Sequence, residues 1–106
     1  MDAAPLPDAE RAAYLAYLRS RLQETLQYPR QAERLGLTGE VRVRFSIDAD
    51  GRLIAGSLQI LSSSGHPLLD AGAEATVTAA APFRKPPQPM TVDVPVGFRN
   101  TATVRR

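Results

Sequence analysis

From Met90 to Phe98 the hydrophobic and polar positions alternate without a break. Met90, Val92, Val94, Val96 and Phe98 fall on one face, and Thr91, Asp93, Pro95 and Gly97 on the other. Period two, with branched and aromatic residues on one side, predicts a half-buried strand. Proline has no amide hydrogen, so Pro95 places this strand at a sheet edge. Neighbouring residues turn their backbone groups to opposite sides. With Pro95 on the free side, Asp93 and Gly97 face outward too, while Val94 and Val96 bond inward. The outer edge is then partly blunted, and an open edge is either a liability or a docking rail for an extended peptide.

The same reading applies to the rest of the chain. Leu15, Leu18, Leu22 and Leu26 recur at helical spacing, flanked by Tyr14 and Tyr17, and predict an amphipathic helix over residues 9–27 with Asp8 as its cap. Arg11, Arg19, Arg21, Gln23 and Glu24 lie largely off the leucine stripe. Gln27-Tyr28-Pro29 breaks that helix, because a residue before proline avoids helical geometry. Pro29 opens a second, short helix that Gly36 ends. Val41, Val43, Phe45 and Ile47 alternate with Glu40, Arg42, Arg44 and Ser46, giving the cleanest strand of the chain. Asp50-Gly51 predicts a hairpin turn into a strand over residues 52–62, whose change of phase suggests a bulge near Gly56. Ser62-Ser63-Ser64-Gly65 is a turn, and His66-Pro67 starts a helix with the small face Leu69, Gly72, Ala73, Thr76, Val77 and Ala80. Pro82 ends it, Phe83 anchors the irregular segment that follows, and the edge strand closes the fold.

The order helix, short helix, strand, strand, helix, strand predicts an α+β two-layer sandwich. Its three-stranded, mainly antiparallel sheet carries the helices on one face. The third strand is expected beside the first. Residues 1–8 read as the end of a Pro-rich linker, residues 9–99 as the domain, and residues 100–106 as a polar, flexible tail.

Composition changes this picture little. A chain of 106 residues makes one domain with one modest core. There is no cysteine, so neither disulfides nor cysteine-ligated metal enter. The longest apolar run is far too short to cross a bilayer and no signal peptide is visible, so any membrane anchor would lie upstream of Met1. The net charge of +2 is too small to argue for nucleic acid.

No catalytic constellation is present, and no cofactor or metal is expected. His66, the single histidine, reads as a cap residue rather than a general base. Asp48-Ala49-Asp50-Gly51 resembles the start of a calcium loop but lacks its remaining oxygen ligands, so a hairpin turn is preferred. Arg30, Arg34, Arg42 and Arg44 could form a phosphate-binding patch. No exposed aromatics interleave with them, so a solvated face with cross-strand charge pairs is preferred.

Taken together, these motifs resemble the C-terminal domain of TonB-family energy transducers. The resemblance rests on Tyr28-Pro29 with Ala32, Gly36, the run Gly39 to Phe45, Asp50-Gly51-Arg52, the run Ile60 to His66, Leu69-Asp70, Ala81-Pro82-Phe83, and Val92 to Phe98. It covers residues 14–98. It implies a periplasmic domain of a protein anchored in the bacterial inner membrane, with a proline-rich spacer and a proton-driven motor of ExbB and ExbD type. Its partners would be outer-membrane transporters for substrates such as siderophores, iron or haem. Such a receptor offers an N-terminal segment, the Ton box, as an added strand. By position, the acceptor strand would be Met90, Thr91, Val92, Asp93, Val94, Pro95, Val96, Gly97 and Phe98, with Gln27 and Tyr28 also touching the peptide. The first helix is longer here than in the best-known members, and the second strand also looks longer. Either difference bears on receptor choice or on homodimer formation. A TolA-like envelope domain is the alternative within the same class, and a small basic nucleic-acid-binding domain the alternative outside it.

Overall fold

The computed structural model describes residues 8–99. The tail reading for residues 100–106 and the linker reading for residues 1–7 lie outside them, while Asp8, expected as the last linker residue and helix cap, is the first residue of the first helix. Six elements follow in the expected order: α1 (Asp8–Glu24), α2 (Arg30–Leu35), β1 (Gly39–Ile47), β2 (Gln59–Ser62), α3 (Pro67–Ala80) and β3 (Met90–Phe98). The sheet order is β2-β1-β3 with both pairings antiparallel, so β3 lies beside β1 at one edge. The architecture is α+β, as the pattern predicts.

The core lies between the sheet and the two longer helices. Val41, Val43, Phe45 and Ile47 of β1 and Val92, Val94, Val96 and Phe98 of β3 are buried against Leu18 and Leu22 of α1 and Leu69, Ala73 and Val77 of α3. Each such Val, Leu, Ile or Phe side chain contributes about 1.5–3 kcal/mol on leaving water. The opposite sheet face is solvated, and there Arg44 makes a two-pronged pair with Asp93, Nε to Oδ1 at 2.7 Å and Nη2 to Oδ2 at 3.1 Å. This is the expected cross-strand charge pair, at a point where Arg44 and Asp93 are register partners.

Three local expectations need correction. First, α1 ends at Glu24 rather than Gln27. The Gln27 amide N–H donates to the Thr76 hydroxyl at 2.9 Å, and that hydroxyl donates to the Gly72 carbonyl at 2.7 Å. The segment before Pro29 is therefore pinned to α3 instead of continuing the helix. Pro29 itself is the extended cap of α2, not its first residue.

Second, β2 is four residues long. After the turn at Asp48–Arg52 the chain bridges Ile47 to Leu53 and then leaves the ladder, turning at Ala55-Gly56. The Ser57 hydroxyl fills the gap, accepting the Ser46 amide N–H at 3.0 Å and donating to the Ile54 carbonyl at 2.7 Å. Third, the register shift within β2 falls at Leu61, the residue left over between Val43↔Ile60 and Arg42↔Ser62. The second strand is shorter, not longer, than the alternation suggested.

Candidate functional site

The candidate site is the β3 edge. Arg42, Arg44 and Ser46 of β1 pair with Pro95, Asp93 and Thr91. The Ser46 amide points away from β3, towards Ser57. The odd-numbered β1 residues therefore exchange ladder bonds with Met90, Val92, Val94, Val96 and Phe98. Thr91, Asp93, Pro95 and Gly97 turn their backbone groups to the open side. The Gly97 N–H shows this directly: it donates across the open side to the Gln23 side-chain oxygen at 3.2 Å.

The side chains of Met90, Val92, Val94, Val96 and Phe98 are buried in the core and are not available to a partner. What β3 can offer is its outward backbone and the side chains of Thr91 and Asp93, with Pro95 and Gly97 half-buried beside them.

Tyr28 meets the far end of the strand. Its ring packs edge-on against Phe98 with centroids 5.3 Å apart, and its hydroxyl donates to the Leu37 carbonyl. Burial, with the Glu33 carboxylate adding to it, raises the Tyr28 hydroxyl pKa above its ordinary value. Gln27 stays exposed, its side-chain amide turned back onto the Thr25 carbonyl at 2.8 Å. Tyr28 therefore supports the strand end from the core side. Gln27 lies beside it on a shallow hollow with Pro29 and the small α3 residues Ala71, Gly72 and Ala75.

A wall of α1 lines the open edge, and the sequence reading did not assign it. Arg11 and Leu15 share a hollow with Thr91, Asp93 and Arg44. Arg19, Gln23 and Leu26 share a larger one, about 460 Å³, with Pro95, Gly97, Glu40 and Arg99. The helix therefore runs parallel to β3, with its first turns near Thr91 and its last near Gly97. Arg11, Leu15, Arg19 and Gln23 recur every four residues, which puts them on one face of α1. That spacing was visible in the sequence. What it could not show is that Leu15, a member of the leucine stripe, is only half-buried and joins this face.

The wall is cationic. Arg11, Arg19, Arg44 and Arg99 against Glu40 and Asp93 leave +2 in the two hollows (4 − 2), as much as the whole chain carries (13 − 11). The hydrogen bond from Arg44 holds the Asp93 carboxyl below its ordinary value, with Arg42 and Arg11 adding to the effect. Among the described residues no cluster of His, Cys, Asp or Glu could hold a metal, and no helix is long and apolar enough to cross a membrane.

The sequence profile for the Gram-negative bacterial TonB protein C-terminal family matches residues 24–100. The chain belongs to the TonB C-terminal family. It is 38% identical over 92 residues to Protein TonB of Haemophilus ducreyi, covering 81% of this chain and 31% of that protein. It is 29% identical over 86 residues to Protein TonB of Helicobacter pylori J99, covering 80% of this chain and 30% of that one. The chain thus spans less than a third of these relatives. The fold matches the solution structure of the H. pylori TonB C-terminal domain with TM-score 0.71 at 23% identity, covering 92% of this chain and 96% of that one. The HasB C-terminal domain matches with TM-score 0.53 at 28% identity, covering 91% and 81%. In this TonB-family domain the α1 wall and the β3 edge line the same two hollows.

Proposed function

We propose that this domain is the periplasmic receptor-binding end of an inner-membrane energy transducer. It would take the Ton box of an outer-membrane transporter as an added strand on β3. Pulling by an ExbB/ExbD-type motor, through the part of the protein outside this chain, would then couple the proton gradient to uptake. The observation that carries this reading is the unpaired outward side of β3. Thr91 and Asp93 turn backbone groups toward solvent, and Gly97 turns its N–H toward the Gln23 side chain, beside a groove walled by α1. Backbone pairing tolerates variation in the partner's sequence, and a strand pulled along its length loads several hydrogen bonds together. Ordering a flexible segment offsets part of the gain, so modest affinity is expected. The reading is of an interaction domain and assigns no catalytic role, cofactor or metal.

The test is an amide NMR titration of the 106-residue chain with a Ton-box peptide from a receptor of the same organism. Shifts concentrated at residues 91–98 and at Gln23, with smaller ones at Gln27 and Tyr28, are expected. Absence of shifts at millimolar peptide on the folded domain would overturn strand addition.

A further inference from the structure

The Gly97–Gln23 hydrogen bond occupies a donor that an arriving strand needs. On the open side of β3, Pro95 has no N–H to give, and the Gly97 N–H is held by Gln23 at 3.2 Å. The C-terminal half of the edge therefore presents no unbonded donor, whereas Thr91 and Asp93 have no backbone partner on that side among the described bonds. Gln23 lies in the last turn of α1, its side chain exposed and, among the described residues, hydrogen-bonded only here. A Cβ placed on Gly97 would meet the Gln23 oxygen at 3.8 Å, in ordinary van der Waals contact, so the glutamine side chain lies directly over this residue.

We propose that Gln23 is a removable cap on the acceptor edge. In the unbound domain it satisfies the Gly97 N–H and guards the edge against pairing with another copy of the chain, the hazard that any open edge carries. On docking, the peptide pairs first at Thr91 and Asp93. Its carbonyl then replaces the Gln23 oxygen at Gly97, and the glutamine swings into the adjoining hollow beside Arg19 and Leu26. A neutral, solvent-exposed hydrogen bond suits this role: it is strong enough to fill the donor and weak enough to be exchanged. Opening the cap is the last step of docking, so its cost falls on the C-terminal half of the added strand. The docking half of this proposal rests on the strand-addition reading above, but the cap does not.

Two measurements on the 106-residue chain separate them. The first needs no ligand. Amide exchange at Gly97 should be about two- to tenfold slower in the native chain than in Gln23→Ala, in line with the loss of one such hydrogen bond. Gln23→Glu, which keeps an acceptor and charges it, should restore or exceed the native protection. Equal exchange at Gly97 in the native chain and in Gln23→Ala would overturn the cap. The second measurement titrates a synthetic Ton-box peptide from a receptor of the same organism. Gln23→Ala should bind about two- to tenfold more tightly and self-associate at lower concentration in sedimentation. Equal or weaker peptide binding by Gln23→Ala, with the native chain binding, would overturn Gln23 as a gate. If neither chain binds, strand addition fails, while the exchange data still decide whether Gln23 caps the edge. Gln23 is an exposed helical position and alanine a good helix former, so the variant is expected to fold.

Discussion

At the scale of single residues, two contacts set how the loops hold the sheet. Gly51 is buried in the β1–β2 turn at φ 88°, with its carbonyl accepting the Phe83 N–H at 2.7 Å. A Cβ there would sit 2.1 Å from the Phe83 carbonyl oxygen. Phe83 in turn stacks on Phe45, centroids 5.7 Å apart, so the turn and the segment after α3 are locked together in the core. Gly51→Ala should therefore cost more than about 2 kcal/mol, read as a lowered urea midpoint at unchanged slope. Asp70 holds the other junction. Burial pushes its carboxyl upward. Hydrogen bonds from the Ser63 hydroxyl and from the Ser64 amide and hydroxyl, with His66 nearby, outweigh this and hold it below the ordinary value. A depressed folded pKa means that the folded state binds fewer protons. The stabilisation is complete above about pH 4 and is lost as pH falls through the folded value. Denaturation from pH 6 to pH 3 should show this fall in the native chain, and a flatter profile in Asp70→Asn.

At the scale of elements, β3 serves two masters. Its odd-numbered outward residues face the groove, and its even-numbered residues bond to β1. Proline scanning separates the two sides. Val94→Pro removes an inward donor from a buried position and should destabilise the domain by about 3 kcal/mol or more, read in urea. Gly97→Pro removes an outward donor. It should leave stability within about 1 kcal/mol of native but weaken peptide binding about fivefold or more, measured by NMR titration. Normal peptide binding by a folded Gly97→Pro would show that this donor is not used. The helix α1 is similarly divided. Tyr14, Leu18 and Leu22 pack inward, and Arg11, Leu15, Arg19 and Gln23 follow the edge. Tyr14 is anchored at its tip, its hydroxyl donating to the Arg84 carbonyl at 2.7 Å. Burial, reinforced by Tyr17, raises its pKa to about 12, so it stays a donor throughout the physiological range.

At the scale of the molecule, charge is concentrated where docking is proposed. The groove holds +2, and the rest of the chain is balanced. Affinity for an acidic peptide should therefore fall as salt rises, because exposed charges are screened within a Debye length of about 10 Å at 0.1 M. Titrations at 50 and 500 mM salt check this. Affinity independent of salt would mean that backbone pairing alone holds the peptide.

Much of this protein was determined by local pattern. Strict alternation defined β1 and β3, because side chains of a strand alternate whatever surrounds it. Pro95 marked the edge, because a missing N–H is a property of the residue. The buried face of α3 was legible down to Thr76, since helical periodicity is local, and the motifs from Tyr28 to Phe98 carried the family. What needed tertiary structure was every feature set by competition between distant groups. The end of α1 depends on Thr76 capturing the Gln27 amide. The shortness of β2 depends on Ser57 replacing a ladder partner for Ser46. The α1 wall depends on where the helix lies against β3, which no periodicity within the helix can state. The Gln23 cap is the clearest case: it joins residues 74 apart, and only packing of the helix along the strand brings one amide within reach of the other.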